Sequence, residues 1–281
     1  MDSLTFMAIM SAAFMHAAWN AMIKIGLDRF MSMCLMGLCM GTIALGLTPF
    51  FDLPDPASWP YIAASLLCHI GYNLTLVRAY GYGDLGQIYP LARGAAPIFV
   101  ALFGMLFLSE YLTPLTWLGI IVLVSGVWLM ALKGAGRGVA GSRTAIEAAL
   151  IVSAFIASYT VIDGLGGRVS GTASGYTLWL LGLEGVIMVV IALIRRGPRA
   201  ILQLRNVWIS GFIAGALSLA AYWVAIWAMT RAPIATVAAL RETSIFFALA
   251  IAVLFLKEPL TFWRSAAATL IVGGAAMLRL L

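Results

Sequence analysis

Four ionisable residues stand inside long apolar stretches of this chain, and they are the groups best placed to do chemistry: Arg93, Glu184, Arg241 and Glu242. In hydrocarbon each costs about 2.5 to 3.5 kcal/mol on insertion scales, so such a group is paired, functional or both. Two readings follow from the residue types. In one, the arginines and glutamates pair internally and hold helices together. In the other, an arginine meets a solute carboxylate, while Glu184 or Glu242 meets an ammonium group or Glu184 carries a proton.

A second pattern surrounds them. HAAWN at 16–20 and HIGYN at 69–73 share H-x-x-(W/Y)-N, so His16 and Asn20, like His69 and Asn73, lie one helical turn apart on one face. ASYT at 157–160 and AAYW at 220–223 repeat the small-then-aromatic order. Trp19, Tyr72, Tyr159, Tyr222, Trp223 and Trp227 can wall a cavity for an apolar or aromatic side chain, with Tyr89 counted among them. The competing role for the aromatics is packing and interface anchoring, which is assigned to Trp59, Tyr61, Trp208 and Trp263. For the histidines it is a hydrogen bond across helices. Pro90 and Pro97 flank Arg93, and each removes an intrahelical hydrogen bond, so the fourth span is expected to bend there as a gating element or a static kink. No carboxylate or cysteine completes a zinc set, and Cys34, Cys39 and Cys68 form neither a disulfide framework nor a CxxC site, so no metal and no cofactor are expected.

The elements that position these residues follow from composition. With 63% hydrophobic and 10% charged residues and a mean hydropathy of +1.03, the chain lacks the polar surface of a soluble globule, whose charged fraction is about 25%. A lipid bilayer is its solvent. Spans of about 20 residues are read near 3–24, 30–51, 58–80, 84–109, 113–133, 143–163, 173–195, 206–229, 232–256 and 260–281. The expected fold is therefore all-α and polytopic, with ten transmembrane helices. Connections such as LPDPASWP and RRGPR are short, leaving no room for a soluble domain. The first span opens on Asp2 rather than a basic segment and is read as a mature helix rather than a signal peptide.

Residues 93–130 match 241–278 at a fixed offset of 148, with ten of 38 positions identical, among them Arg93/Arg241, Glu110/Glu258, Thr113/Thr261 and Gly126/Gly274. Two units are expected, 1–133 and 143–281, joined by the glycine-rich linker 134–142. Five spans per unit is an odd number, so the second unit enters the membrane from the opposite side, which is the inverted architecture of alternating access. Arg168, Arg231 and Arg279 fall on one face, Arg93 and Arg241 in the membrane, and the other twelve of 17 basic residues on the opposite face. The positive-inside rule then puts both termini outside the cytoplasm. The net charge of +6 suits an anionic leaflet and calls for no nucleic acid.

The duplication, the turns LSEYLT and LKEPLT, and the glycine-containing helices after them resemble the drug/metabolite transporter superfamily, specifically its EamA-type members. By length and aromatic-rich inner segments the chain is most similar to the bacterial amino-acid exporters of that superfamily. The resemblance implies a multi-pass protein of the bacterial inner membrane. It also implies cytoplasmic termini in many members, opposite to the charge count.

No GxSxG, HExxH or Walker pattern occurs, so no enzyme is expected. The favoured reading is a carrier of neutral or aromatic amino acids, with a small-molecule substrate and the bilayer as its partners and its oligomeric state left open by the sequence. Drug-like organic cations are the alternative, needing the aromatic walls and Glu184 but neither arginine. A channel is the third reading.

Overall fold

The computed structural model describes residues 1–22, 29–79, 85–134, 143–198, 207–255 and 257–280, and within them every side chain except those at 29, 77, 85–90 and 134. The long elements among them are all helices: α1 Ser3–Met22, α2 Arg29–Leu47, α3 Trp59–Ala79, α4 Leu85–Leu108, α5 Pro114–Gly134, α6 Arg143–Val169, α7 Ala173–Arg196, α8 Trp208–Met229, α9 Ile234–Arg241, α10 Ser244–Leu254 and α11 Phe262–Leu280. Most of the expected linker, 135–142, lies outside the described residues.

Seven stretches among the described residues are long and apolar enough to cross a bilayer: Phe30–Phe50, Leu91–Leu108, Pro114–Lys133, Arg143–Val169, Ala173–Arg196, Trp208–Met229 and Ile234–Leu254. The chain is thus an all-α, multi-pass membrane protein, but fewer segments than the ten expected meet that standard. Helices α1, α3 and α11 are as long, at 20, 21 and 19 residues. Their apolar character is diluted by His16 and Asn20, by His69, Asn73 and Arg78, and by Arg264 and Arg279.

Two boundaries depart from the sequence reading. The sixth helix does not stop at 163; it runs 27 residues to Val169, about 40 Å. Its GLGG stretch stays helical because those glycines are contact points: a Cβ at Gly164, Gly166 or Gly167 would strike Ile234, Tyr176 or Ile226. The ninth span is broken rather than continuous. The amides of Glu242, Thr243 and Ile245 bond carbonyls only three residues back, at 3.0, 3.1 and 3.0 Å, and the Thr243 hydroxyl donates to the Leu240 carbonyl at 2.7 Å. A tight turn thereby separates α9 from α10. By contrast α4 runs through Pro90 and Pro97 as one helix, so the interruption falls between Ile234 and Leu254, where there is no proline.

The sequence repeat has a structural counterpart in the turns after α4 and α10. Ser109 and Lys257, 148 apart, both adopt left-handed backbone, with φ of 53° and 55°. The next amide in each case, Glu110 or Glu258, reaches back to the carbonyl of Gly104 or Ala252 at 3.1 Å. These six-residue closures satisfy carbonyls that a helix end leaves open. Thr113 and Thr261 then start α5 and α11, each hydroxyl accepting from the amide three residues on, at 3.2 and 3.4 Å. Leu106 and Phe107, and their counterparts Leu254 and Phe255, are all 72–77% exposed, as expected for side chains facing lipid.

Helix packing follows the same correspondence. α1 packs on α8 as α3 packs on α6, while α2 meets α7 and α5 meets α11. Mapping the first five spans onto the second five exchanges the first two contacts and returns the last two to themselves. Those last two are glycine seams. A Cβ on Gly41 would stand 2.8 Å from the Cα of Gly185, and one on Gly274 would stand 2.6 Å from the backbone nitrogen of Leu123. Small residues allow this approach where no hydrophobic effect drives helices together. Gly273, next to Gly274, has nothing within 4 Å of its notional Cβ. Gly274→Ala is therefore expected to cost about 1–3 kcal/mol in unfolding of the detergent-solubilised protein. Gly273→Ala is expected to be neutral or stabilising by up to about 1 kcal/mol; equal effects at the two positions would contradict this seam.

Candidate functional site

The interior charges fall into two linked clusters. In the first, Arg93 of α4 grips Glu242 at the break of the ninth span through two hydrogen bonds, Nε to Oε2 at 2.9 Å and Nη2 to Oε1 at 2.7 Å. Both residues are buried. This forked geometry is the strongest form of such a pair. The third contact, Arg93 Nη1 to His16 Nε2, is 3.1 Å. A guanidinium can only donate, so His16 Nε2 accepts and the ring proton of a neutral His16 sits on Nδ1. Trp19 lies edge-on to His16 at 5.0 Å. Its indole nitrogen is buried with no hydrogen-bond partner among the described residues. Asn20 turns its amide onto the His16 carbonyl of its own helix at 2.8 Å.

The second cluster is built on Asp163 of α6, which is fully buried. One carboxylate oxygen accepts from the Tyr176 hydroxyl at 3.0 Å and the other from the Tyr222 hydroxyl. His69 of α3 stands between two carboxylates, its Nε2 3.5 Å from Asp163 and its Nδ1 3.3 Å from Glu184 of α7. The imidazole stacks on Tyr159 at 4.2 Å, and Tyr72 meets Tyr159 edge-on at 5.9 Å. Arg241, at the end of α9, lies 5.0 Å over the ring of Tyr222. Among the described residues it forms no ion pair, although its repeat counterpart Arg93 is saturated by Glu242. Tyr222 therefore carries Asp163 at its hydroxyl and Arg241 on its face, and Arg241 is the chain neighbour of Glu242. This sequence of contacts joins the two clusters.

The other expected site residues lie elsewhere or outside the description. Trp223 donates to Ser174 at 2.9 Å and packs edge-on against Phe51 at 5.0 Å. Trp227 carries Arg231 at 4.6 Å over its ring. Asn73 contacts the Met188 sulfur at 3.6 Å. Pro97 is buried in α4. The side chains of Tyr89 and Pro90 lie outside the described residues. Asp163 and Tyr176 are site residues that the sequence reading missed. The sequence reading ends the sixth span at Asp163, where an acid is unremarkable; the available signal is the absence of any other charge from Ala148 to Gly167. Tyr176 sits at a span end and carries no signal of its own.

One end of the bundle is closed by a second polar assembly. Arg168, at the end of α6, pairs with Glu110 of the α4–α5 turn at 2.6 Å and donates to the carbonyls of Met229 and Ala232 at 2.9 and 3.1 Å. Glu110 also accepts from the amide of Ile234, the first residue of α9, at 3.2 Å. A surface cleft of about 350 Å³ is lined by Glu110 and Arg168 together with Tyr111, Thr230 and Arg231. Arg231 and Arg241 are separated by the length of α9, eight residues, about 12 Å of helix. No cluster of metal-ligating side chains occurs among the described residues.

Comparison with known proteins agrees with this architecture. The model of the EamA-like transporter family matches the chain twice, over residues 3–132 and 143–280. An uncharacterized transporter in cobO 3'region from Sinorhizobium sp. is 31% identical over 140 residues, which is 46% of this chain and 97% of that relative. A protein of known crystal structure aligns with 100% of this chain and 98% of its own at a TM-score of 0.80 and 16% identity, a likeness of fold alone.

Removing one partner of a buried pair leaves the other charge uncompensated. Glu242→Gln is expected to destabilise the protein by about 3–5 kcal/mol, and the double substitution Arg93→Met with Glu242→Met to recover most of that loss. Denaturant unfolding of the three detergent-solubilised proteins checks this, and a double variant no better than Glu242→Gln would contradict it.

Proposed function

The chain belongs to the EamA-like transporter family, and from that premise we propose that it exports neutral or aromatic amino acids across a bacterial inner membrane. It is a transporter and not an enzyme. The transport cycle is alternating access between two inverted five-helix halves, 1–133 and 143–281, acting as a monomer. The twofold family match, the equivalent turns after α4 and α10 and the self-paired glycine seams support that division.

The observation that carries the cargo reading is Arg241. An interior arginine with an aromatic ring beneath it and, among the described residues, no acid paired to it is set to receive a carboxylate. The break of the ninth span adds to this, because the N-terminus of α10 is the positive end of a half-helix. Glu184 offers the matching site for an ammonium group, and Tyr72, Tyr159 and Tyr222 offer faces for an apolar or aromatic side chain. The Arg168–Glu110 assembly ties the α4–α5 turn to the ends of α6 and α8 and the start of α9. It closes one face of the site and must open when the halves rock.

Organic cations are the second reading, favoured by the two acids, Asp163 and Glu184, beside a cluster of tyrosines. They have no use for Arg241. Saturable uptake of labelled phenylalanine or leucine into proteoliposomes is expected from the wild type. Arg241→Gln removes a charge-assisted hydrogen bond of about 1.5–3 kcal/mol, so amino-acid affinity should fall about tenfold or more. No uptake of any amino acid, with uptake of an organic cation that survives Arg241→Gln, would replace the first reading with the second.

A further inference from the structure

The environment of His69 requires one proton more than an ordinary neutral histidine brings. Its Nε2 lies 3.5 Å from Asp163 and its Nδ1 3.3 Å from Glu184, ion-pair distances at which the buried Nε2 makes no hydrogen bond among the described residues. A neutral imidazole has one N–H and one lone pair. With both acids ionised, it would turn the lone pair onto a carboxylate, two electron-rich atoms in a medium of low dielectric. An imidazolium turns an N–H and positive charge toward both neighbours.

We propose that His69, held between Asp163 and Glu184, is a proton-binding site, and that a substrate ammonium group arriving at Glu184 displaces this proton. The second half rests on the amino-acid reading above; the first does not. When the ammonium takes Glu184, Nδ1 loses its acceptor and releases its proton to solvent, and His69 stays neutral with Nε2–H directed at Asp163. The substrate carboxylate joins Arg241 in the same event. Asp163 keeps the hydroxyl hydrogen bonds of Tyr176 and Tyr222. One proton leaves for each substrate bound, so the chain works as an exchanger in which inward protons drive outward cargo.

The groups facing His69 are consistent with this role. α6 presents Asp163 and Tyr159, α7 presents Glu184 and, through Asp163, Tyr176, and α8 presents Tyr222. Arg241 of α9 acts from the far face of Tyr222. Cys68 on the same helix is within electrostatic reach of Asp163, and the short turn Pro56–Ser58 that packs on α3 brings no titratable side chain. His16, which belongs to the other cluster, accepts from Arg93 and so cannot be protonated on Nε2 without losing that contact.

Only two histidines occur in the chain, which makes a direct test practical. In substrate-free protein labelled with ¹⁵N-histidine at neutral pH, the resonances lost in His69→Asn are expected to report both ring nitrogens protonated, and Glu184→Gln is expected to return His69 to the singly protonated form. A neutral His69 in the wild type would overturn the site. In weakly buffered detergent solution, phenylalanine is then expected to release one proton per molecule bound and to bind more weakly as the pH falls. Binding with no proton release would overturn the exchange. Failure of phenylalanine to bind, beside a doubly protonated His69, would count against the cargo and leave the proton site standing.

Discussion

A charge in hydrocarbon must find its opposite, and in this chain the pairing of Arg93 with Glu242 does so across the molecule. One partner is carried by the continuous helix α4, the other by the turn between α9 and α10. The pair sits at the break of the ninth span, which has no proline between Ile234 and Leu254. Glu242 must project toward the Arg93 fork, Thr243 bonds back to Leu240, and the helix tightens into three-residue closures at that point. Among the described residues Arg241, unlike Arg93, then forms no ion pair, and the proposed site rests on that asymmetry.

The two halves share more backbone than chemistry. The left-handed residues Ser109 and Lys257, the closures onto Gly104 and Ala252, and the threonine starts of α5 and α11 are the same device used twice. Arginines placed by the same device at 93 and 241 then meet different surroundings, one an acid and the other a tyrosine ring. A repeated scaffold thus carries an asymmetric interior, which under the proposed carrier reading would hold one solute in one orientation. The glycine seams fit that use, because backbone contacts without large interlocking side chains allow helices to pivot at small cost in packing.

Much of the fold was legible from the chain, because hydrophobic length and charge depletion act locally. The positions of α1 to α8 follow from them to within a few residues, apart from the end of α6. The repeat was legible because Leu-x-Glu-x-Leu-Thr encodes a helix end followed by a helix start. The break of the ninth span was not legible, since it depends on a partner 149 residues away. In the site, four interior charges and the two histidines were visible as costly residues in apolar surroundings. Their pairing was not: nothing local distinguishes Arg93 from Arg241. Asp163 was hidden by the short reading of α6, whose glycines are explained only by Ile234, Tyr176 and Ile226 on other helices. Trp223 and Trp227 shared the pattern of the inner aromatics but are engaged by Ser174 and Arg231 instead.

The account stands on Arg241 as the group that takes the substrate's carboxylate. The most direct measurement is an experimental structure of the protein with a bound aromatic amino acid. The account predicts the carboxylate within hydrogen-bonding distance of Arg241, the ammonium group at Glu184 and the ring among Tyr72, Tyr159 and Tyr222. An amino acid bound instead in the surface cleft beside Arg231, with Arg241 still lying over Tyr222 alone, would contradict it.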